Sequence, residues 1–347
     1  MTRLGQDFWA ITSYYNLTES TTRLRNHRCF KRRLSVPLLT VEWHPDSRFQ
    51  LKDDDADIVL RIGGGDLMWQ KERLLSLAVT ALPDTVKYVA WLDCDILFGN
   101  RDWADEAREL LKNNSVVQLF SDVAYAGASE SLRLINSAEP ELDMVDCKQL
   151  PARESFVAML GRLKGDVADH DIGVRLRPDA NNCSNVMQRP SPGFAWAAQP
   201  AFLRDVGLYQ HGIMGGGDTL FCYGMSGFIE KLIAYHRTIG WEFYSDCDAY
   251  RRWAQGAAAA SRGELAYVRG QILHLFHGSL AKRQYKSRKD GLVQFALDLD
   301  RDIVAHDGQP WSWRRDRDRL NSYFLKYLRA RKEDDEIIAS RFELASG

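Results

Sequence analysis

Two groups of residues in this chain have the types and spacing for metal chemistry. Asp93-Cys94-Asp95 sets two carboxylates one residue apart at the end of the apolar run Tyr88-Val89-Ala90-Trp91-Leu92. Such a run reads as a buried central strand, and ligands of open α/β sheets meet the carboxyl ends of the strands. Two acids at a strand tip are costly to hold without a compensating cation. The pair therefore points to a divalent metal holding a phosphorylated ligand, although the same spacing also serves a turn in which aspartates cap backbone amides. His274-Leu275-Phe276-His277 offers two imidazoles from a distant part of the chain, again at the end of an apolar segment. A carboxylate and imidazole set with open positions suits Mn²⁺, or Mg²⁺, with diphosphate oxygens completing the shell. Residues three apart on a straight strand face opposite ways, so both histidines can bind only if the chain bends between them. Without a bend, His277, beside the turn at Gly278, is the ligand and His274 a core histidine.

Three further patterns accompany these. Lys282, Arg283, Lys286, Arg288 and Lys289 follow the histidines at once; they are either solvated surface or a cationic loop that folds over a diphosphate and excludes water. Gly215-Gly216-Gly217-Asp218 gives a permissive backbone and then one acid at the start of a helix. Asp218 reads either as a helix cap or as a base that accepts a proton from an incoming hydroxyl, with the glycines letting a sugar approach the backbone. Arg23, Arg25, Arg28, Lys31, Arg32 and Arg33 form a basic stripe early in the chain, solvated or in contact with an anionic acceptor such as DNA or a membrane surface.

The elements that must position these residues are strands alternating with helices. Strands are expected at Phe8 to Tyr14, Pro37 to Val41, Ile58 to Ile62, Tyr88 to Leu92, Val116 to Phe120, Gly193 to Ala198 and Ile272 to Phe276. Helices are expected at about Arg23 to Leu34, over the Leu74 to Ala81 stripe, at Trp103 to Asn113 and from Pro200. This alternation implies an α/β fold with a largely parallel central sheet. Residues 121 to 192 break the pattern, Asn181-Asn182 included, and read as an insertion able to bind an acceptor. From Trp311 onward a charged helical tail carries the stripe Leu320, Phe324, Tyr327 and Leu328, with no chemistry evident in it.

Composition excludes several classes. The 347 residues carry 46 Lys and Arg against 47 Asp and Glu, a net charge of -1, which gives no global sign of a nucleic-acid binder. Six cysteines without a CxxC pair argue against structural zinc and for reduced thiols. No basic-then-apolar leader and no run of about 20 apolar residues is present, so a cytoplasmic protein is expected.

The order of these parts resembles the GT-A fold glycosyltransferases, and is most similar to the β-1,4-galactosyltransferase group and its bacterial relatives. That group carries a helix written roughly Phe-Asn-Arg-Ala-Lys-Leu-Leu-Asn shortly before an Asp-Val-Asp; here Trp69-Gln70-Lys71-Glu72-Arg73-Leu74-Leu75-Ser76 precedes Asp93-Cys94-Asp95. Its Trp-Gly-Gly-Glu-Asp-Asp corresponds to Met214-Gly215-Gly216-Gly217-Asp218-Thr219, and its Met-x-x-His with a following basic loop to His274-Leu275-Phe276-His277 and then Lys282-Arg283. The departures are a single acid in place of Glu-Asp-Asp, Met214 in place of the acceptor-binding Trp, and no counterpart for residues 121 to 192.

The resemblance implies a GT-A, Rossmann-like catalytic domain over residues 1 to 300, with a C-terminal helical extension over 301 to 347. It implies an inverting, metal-dependent transfer of a sugar from a nucleotide-diphosphate donor, a UDP-sugar, to an acceptor hydroxyl. Asp95, with Asp93 near, and His274 and His277 would hold the metal, and Asp218 would be the base. Tyr15, Asn16 and Arg25 would contact the nucleotide, Lys71 or Arg73 its base or phosphates, Asp93 its ribose or a metal-bound water, and Gly216, Gly217, Lys282 and Arg283 the remainder of the donor. The acceptor stays open among a glycan, a small molecule and a hydroxylated DNA base. Two alternatives stand beside this reading. One is a sugar nucleotidyltransferase, which would want a glycine-rich phosphate loop after the first strand where Tyr15 to Thr22 has no glycine. The other is a non-catalytic relative that binds glycan or DNA.

Overall fold

The computed structural model describes residues 6–137, 150–163 and 189–335. Strands β1 (Phe8–Tyr14), β2 (Leu38–His44), β3 (Ile58–Gly63) and β4 (Tyr88–Leu92) lie where the apolar runs place them. β5 (Ile96–Phe98), β6 (Val116–Gln118), β7 (Asp122–Tyr125), β8 (Ala152–Glu154), β9 (Ala195–Ala198), β10 (Ala266–Tyr267) and β11 (Gln271–His274) follow. Seven of them form the central sheet in the order β10-β6-β9-β4-β1-β2-β3. β4, β1, β2 and β3 run parallel, as do β6 and β10; β9 alone is antiparallel, wedged between β4 and β6. The result is a mixed α/β fold with a mostly parallel central sheet flanked by helices, as the alternation predicts.

The period of two explains the two-sided burial. Trp9 and Ile11 point into one core with Leu39, Val41 and Trp43, while Phe8 and Ala10 point into the other with Leu38 and Ala90. Helix α1 (Thr21–Arg33) covers the second face through Phe30. Helix α2 (Lys71–Thr80) covers the first through Leu74, Leu75 and Ala78. A parallel sheet covered on both faces buries its strands completely, and all of Phe8 to Ile11 is inaccessible to solvent.

A second sheet, β5-β11-β7-β8, holds the site. β7 and β8 come from the 121 to 192 segment, together with the helices Ala128–Asn136 and Phe156–Leu163; residues 138–149 and 164–188 of that segment, Asn181-Asn182 among them, lie outside the described residues. The tail is integral to the body: Leu320, Phe324 and Tyr327 of the Arg317–Ala330 helix share one core with Trp9 and Ile11. Beyond that helix Asp334 caps α1, accepting from the Ser20 hydroxyl at 2.8 Å and from the amides of Thr21 and Thr22 at 3.0 and 2.9 Å. A carboxylate there satisfies amides that the helix cannot pair and suits the positive end of its dipole. Among the described residues no helix is long and apolar enough to cross a membrane.

Candidate active site

Pairing of β5 with β11 joins the two metal-type motifs. The strands are antiparallel with Ile96 opposite His274, and the Leu275 amide donates to the Asp95 carbonyl at 2.8 Å. β11 ends at His274, so the bend that two ligating histidines need is present. Its backbone is held by the Phe276 amide donating to Ser131 Oγ at 2.7 Å and by Asn26 Nδ2 donating to the Phe276 carbonyl at 3.0 Å. Both imidazoles therefore turn to one carboxylate. His277 Nε2 lies 3.0 Å from Asp95 Oδ2, His274 Nε2 lies 3.7 Å from Asp95 Oδ1, and the two Nε2 atoms are 3.2 Å apart. Asp95, His274 and His277 can offer three ligand atoms within 4.8 Å of one another.

The chemistry of this set fits a first-row divalent ion. Asp95 Oδ1 is buried and has no hydrogen-bond partner. Burial opposes its ionisation, yet the imidazoles of His277 and His274 hold the Asp95 carboxyl well below the usual range. Burial also keeps His274 neutral, outweighing Asp95, with its titration well below that of a free histidine. Behind His277, Nδ1 faces Glu333 Oε1 at 3.5 Å. Glu333 is ionised against its own burial because Arg23 and Arg331 bracket it. Glu333 as an acceptor favours a proton on Nδ1 and a free Nε2 lone pair, while Arg331 Nη2, 3.1 Å from the same Nδ1, can only donate to it and opposes that tautomer. Arg283 Nη2 sits 3.0 Å from that same Nε2, so its guanidinium and an ion compete for one lone pair.

The same cleft holds three more acids, Glu72, Asp93 and Asp218. Lys71, at the start of α2, reaches Asp93 Oδ1 at 2.7 Å and Asp218 Oδ1 at 3.0 Å. Asp218 lies in the first turn of the Gly217–Met225 helix, whose cap position is Gly216. Its carboxylate thus faces the cleft and Lys71, and the helix-cap reading of this residue is set aside. Burial, with Asp218 and Asp95 nearby, raises Asp93 to about 6 despite Lys71, and burial lifts Glu72 to about 8 against the pull of Lys71. Gly217 packs on Glu72 so closely that a Cβ would stand 2.0 Å from Oε1. Gly216 adopts φ +93°, a conformation that favours glycine.

These residues line one cavity of about 350 Å³, the size of a small-ligand site. Its charged lining comprises eight cations, Arg23, Lys71, Arg153, Arg189, Arg283, Arg288, Lys289 and Arg331, against four acids, Glu72, Asp93, Asp95 and Asp218. A chain with net charge -1 therefore concentrates positive charge where an anionic ligand would bind.

Of the residues singled out in the sequence, Tyr15, Arg23, Lys71, Asp93, Asp95, Gly215, Gly216, Asp218, His274, His277, Arg283, Arg288 and Lys289 line this cavity. Gly217 stands just behind it against Glu72. The others are placed elsewhere. Asn16 spends its amide on the Tyr14 hydroxyl, the Ser20 carbonyl and Gln50. Arg73 donates to the carbonyls of Gln309 and His306 and lies over Trp311. Lys282 reaches Asp335 at 3.7 Å, and Arg25 is absent from the lining. Most of the basic stripe of α1 is engaged inside the chain: Arg28 with Asp55, Lys31 with Asp57, and Arg32 and Arg33 with carbonyls of the segment after Leu134. The basic segment after His277 forms a short helix, Ser287–Val293, and buries Arg283, Arg288 and Lys289, where a solvated run or an open loop was the expectation.

Sequence reasoning missed the tail. Arg331 and Glu333 are 4% and 3% exposed at the side chain and stand against His277, contrary to the reading of a tail without chemistry. It also gave no role to Glu72, or to Tyr125 and Arg153 from the 121 to 192 segment. The alternation in Asp122 to Tyr125 was the one available signal that this segment adds a strand next to the histidines.

No family model and no curated protein matches this chain. Among solved structures this chain is similar to two of S. aureus TarS. One, at 12% identity and a TM-score of 0.30, covers 71% of this chain and 41% of its own. A second, of TarS 1-349, at 13% identity and a TM-score of 0.33, covers 83% of this chain and 74% of its own. This chain thus spans about two fifths of the length of the first.

Proposed function

We propose that this chain transfers a sugar from a nucleotide-diphosphate donor, a UDP-sugar, to an acceptor hydroxyl with inversion and with the help of a divalent ion. The observation that carries this reading is the convergence of Asp95, His274 and His277 in a cationic cleft that also presents Asp218. Asp95, His274 and His277 would hold Mn²⁺ or Mg²⁺. Bound there, the ion supplies charge neutralisation to a departing diphosphate. Arg283 and Arg23 add fixed positive charge in the same cleft, and Tyr15, edge-on to Trp69, offers an aromatic surface to the nucleotide. Asp218 accepts the acceptor's proton, and Lys71 positions its carboxylate while bridging to Asp93. Asp93, outside the three-residue cluster, is left to the ribose or a metal-bound water.

A second reading rests on the contact between Arg283 and His277. Here the guanidinium takes the ion's part and transfer needs no metal. Thermal shift and turnover with a panel of nucleotide sugars, with Mn²⁺ and with EDTA, separate the two. Stabilisation by UDP-sugar only with Mn²⁺ supports the first, and EDTA-resistant turnover the second. No shift and no turnover with any donor overturns both.

A further inference from the structure

Lys289 is a buried amine with no carboxylate partner among the described residues. It is 9% exposed, lines the cleft, and has its ammonium 4.6 Å from the Trp241 ring and 4.9 Å from the Tyr244 ring. Those faces attract a cation through the ring quadrupole but carry no net charge. Among the described residues no carboxylate lies within ion-pair distance of it. Its neighbour Asp290 is engaged by Lys286 at 2.9 Å and by the Trp241 indole N–H at 2.8 Å. His236, also in the lining, donates to or accepts from Ser245 and is held neutral by burial, at about 3. Burial and then Arg288 push Lys289 itself down to about 7.

The position is specific. The ammonium presses on Gly216, where a Cβ would meet Nζ at 2.5 Å, and Gly216 precedes Asp218 by two residues. Arg288, beside Gly215, has a buried Nε with no partner. Two cations thus face the glycine turn that carries the base, on a part of the cleft formed by Trp241, Tyr244 and His236 and separate from the Asp95 cluster. We propose that this part of the cleft is an oxyanion subsite. One of the two substrates carries a carboxylate or phosphate, in addition to any donor diphosphate, and seats it on Lys289 beside the reacting hydroxyl. The group belongs either to the transferred sugar, as in a uronic acid, or to the acceptor. This inference rests on the glycosyl-transfer reading for the identity of the two substrates, while the anion subsite itself does not.

The test uses the full chain and calorimetric binding. Probes are glucose against glucuronate and glucose 6-phosphate, and UDP-glucose against UDP-glucuronate with Mn²⁺, on the wild type and on Lys289→Met and Lys289→Arg. Loss of one charge-assisted contact predicts about tenfold or more weaker binding of the anionic probe in Lys289→Met, with recovery in Lys289→Arg and unchanged binding of the neutral probe. Preference for UDP-glucuronate assigns the anion to the donor, and preference for the free acidic sugars assigns it to the acceptor. Melting of Lys289→Met at or above the wild-type temperature, as expected when an unpaired buried charge is removed, shows that the fold is kept. Equal binding of neutral and anionic probes by the wild type, or an anion preference that survives Lys289→Met, overturns the subsite. Failure of UDP and Mn²⁺ to bind, with anion preference retained, overturns the glycosyl-transfer reading alone.

Discussion

Replacing Glu333 by Gln tests whether the tail belongs to the site. The carboxylate is 3% exposed, lies 2.9 Å from Arg331 Nη2 and 2.5 Å from Arg23 Nε, and faces His277 Nδ1. At an effective dielectric of about 20, each contact of this length is worth about 6 kcal/mol of Coulomb energy, while desolvation takes back several kcal/mol per ion. Removing one partner of such a group leaves the buried Arg331 and the partly buried Arg23 guanidinium facing a neutral amide, which costs about 3–5 kcal/mol. With an unfolding entropy of about 2.1 cal/mol/K per residue, or about 0.7 kcal/mol/K for this chain, the melting temperature should fall by roughly 4–7 °C. The substitution also removes the carboxylate that faces His277 Nδ1, and loss of an outer-shell carboxylate weakens metal affinity by about 10- to 100-fold. Differential scanning calorimetry and Mn²⁺ titration followed by electron paramagnetic resonance read the two effects separately. A melting temperature within about 1 °C of wild type refutes the energetic argument. A fall in melting temperature with unaltered Mn²⁺ affinity refutes Glu333 as the group that orients His277.

Four further substitutions probe the remaining parts. Asp95→Ala should abolish Mn²⁺ binding at the cluster, and retention of wild-type Mn²⁺ affinity would remove Asp95 as a ligand. Asp218→Asn should keep UDP binding while lowering turnover by about two to four orders of magnitude, the range for a lost general base; near-normal turnover excludes it from that role. Glu72→Gln should flatten the dependence of stability on pH. The native Glu72 titrates at about 8, above its unfolded value, so the folded state retains a proton that the unfolded chain releases, and stability falls as pH rises from about 4.5 to 8. Lys71, Asp93 and Asp218 face it, and Asp93, raised to about 6, acts in the same direction. The wild type should therefore lose melting temperature relative to Glu72→Gln between pH 5 and pH 9, and parallel curves would refute this. Gly217→Ala should destabilise, because its Cβ would fall 2.0 Å from Glu72 Oε1; a melting temperature equal to wild type would show that Glu72 swings aside.

How much of this was legible follows from the range of each interaction. Period-two and period-three-to-four patterns are local, so β1, β3, β4 and α1 appear within a residue or two of where the sequence puts them, and α2 begins three residues before its apolar stripe. The bend after His274 was legible only as a condition, since Ser131 and Asn26, which hold it, lie about 145 and 250 positions away in the chain. For Arg73 and Lys71 the spacing was equally favourable. Two positions on a helix separate them by roughly 200°, so only one can face the cleft, and periodicity alone does not say which. The tail was illegible for another reason: a single Arg-x-Glu at the end of an amphipathic helix is ordinary surface composition until the fold brings Arg23 and His277 against it.

Charge shows the same limit and turns it into an argument about function. Summed over the chain, cations and anions cancel to -1, and that near-zero total gave no global sign of a nucleic-acid binder. The cancellation is spatially uneven. In α1, Arg28 and Lys31 are paired with Asp55 and Asp57 on the outside of the sheet, whereas Arg283, Arg288 and Lys289 are drawn into the cleft and buried. Burying a cation costs several kcal/mol unless something compensates it, and a fold dominated by stability alone would place these side chains in water. Glu333 compensates Arg23 and Arg331, and Asp93 with Asp218 compensates Lys71. Nothing among the described residues does so for Lys289. Lys289 sheds part of this cost by titrating at about 7, and an anionic substrate group beside Gly216 would restore its charge and supply the missing partner.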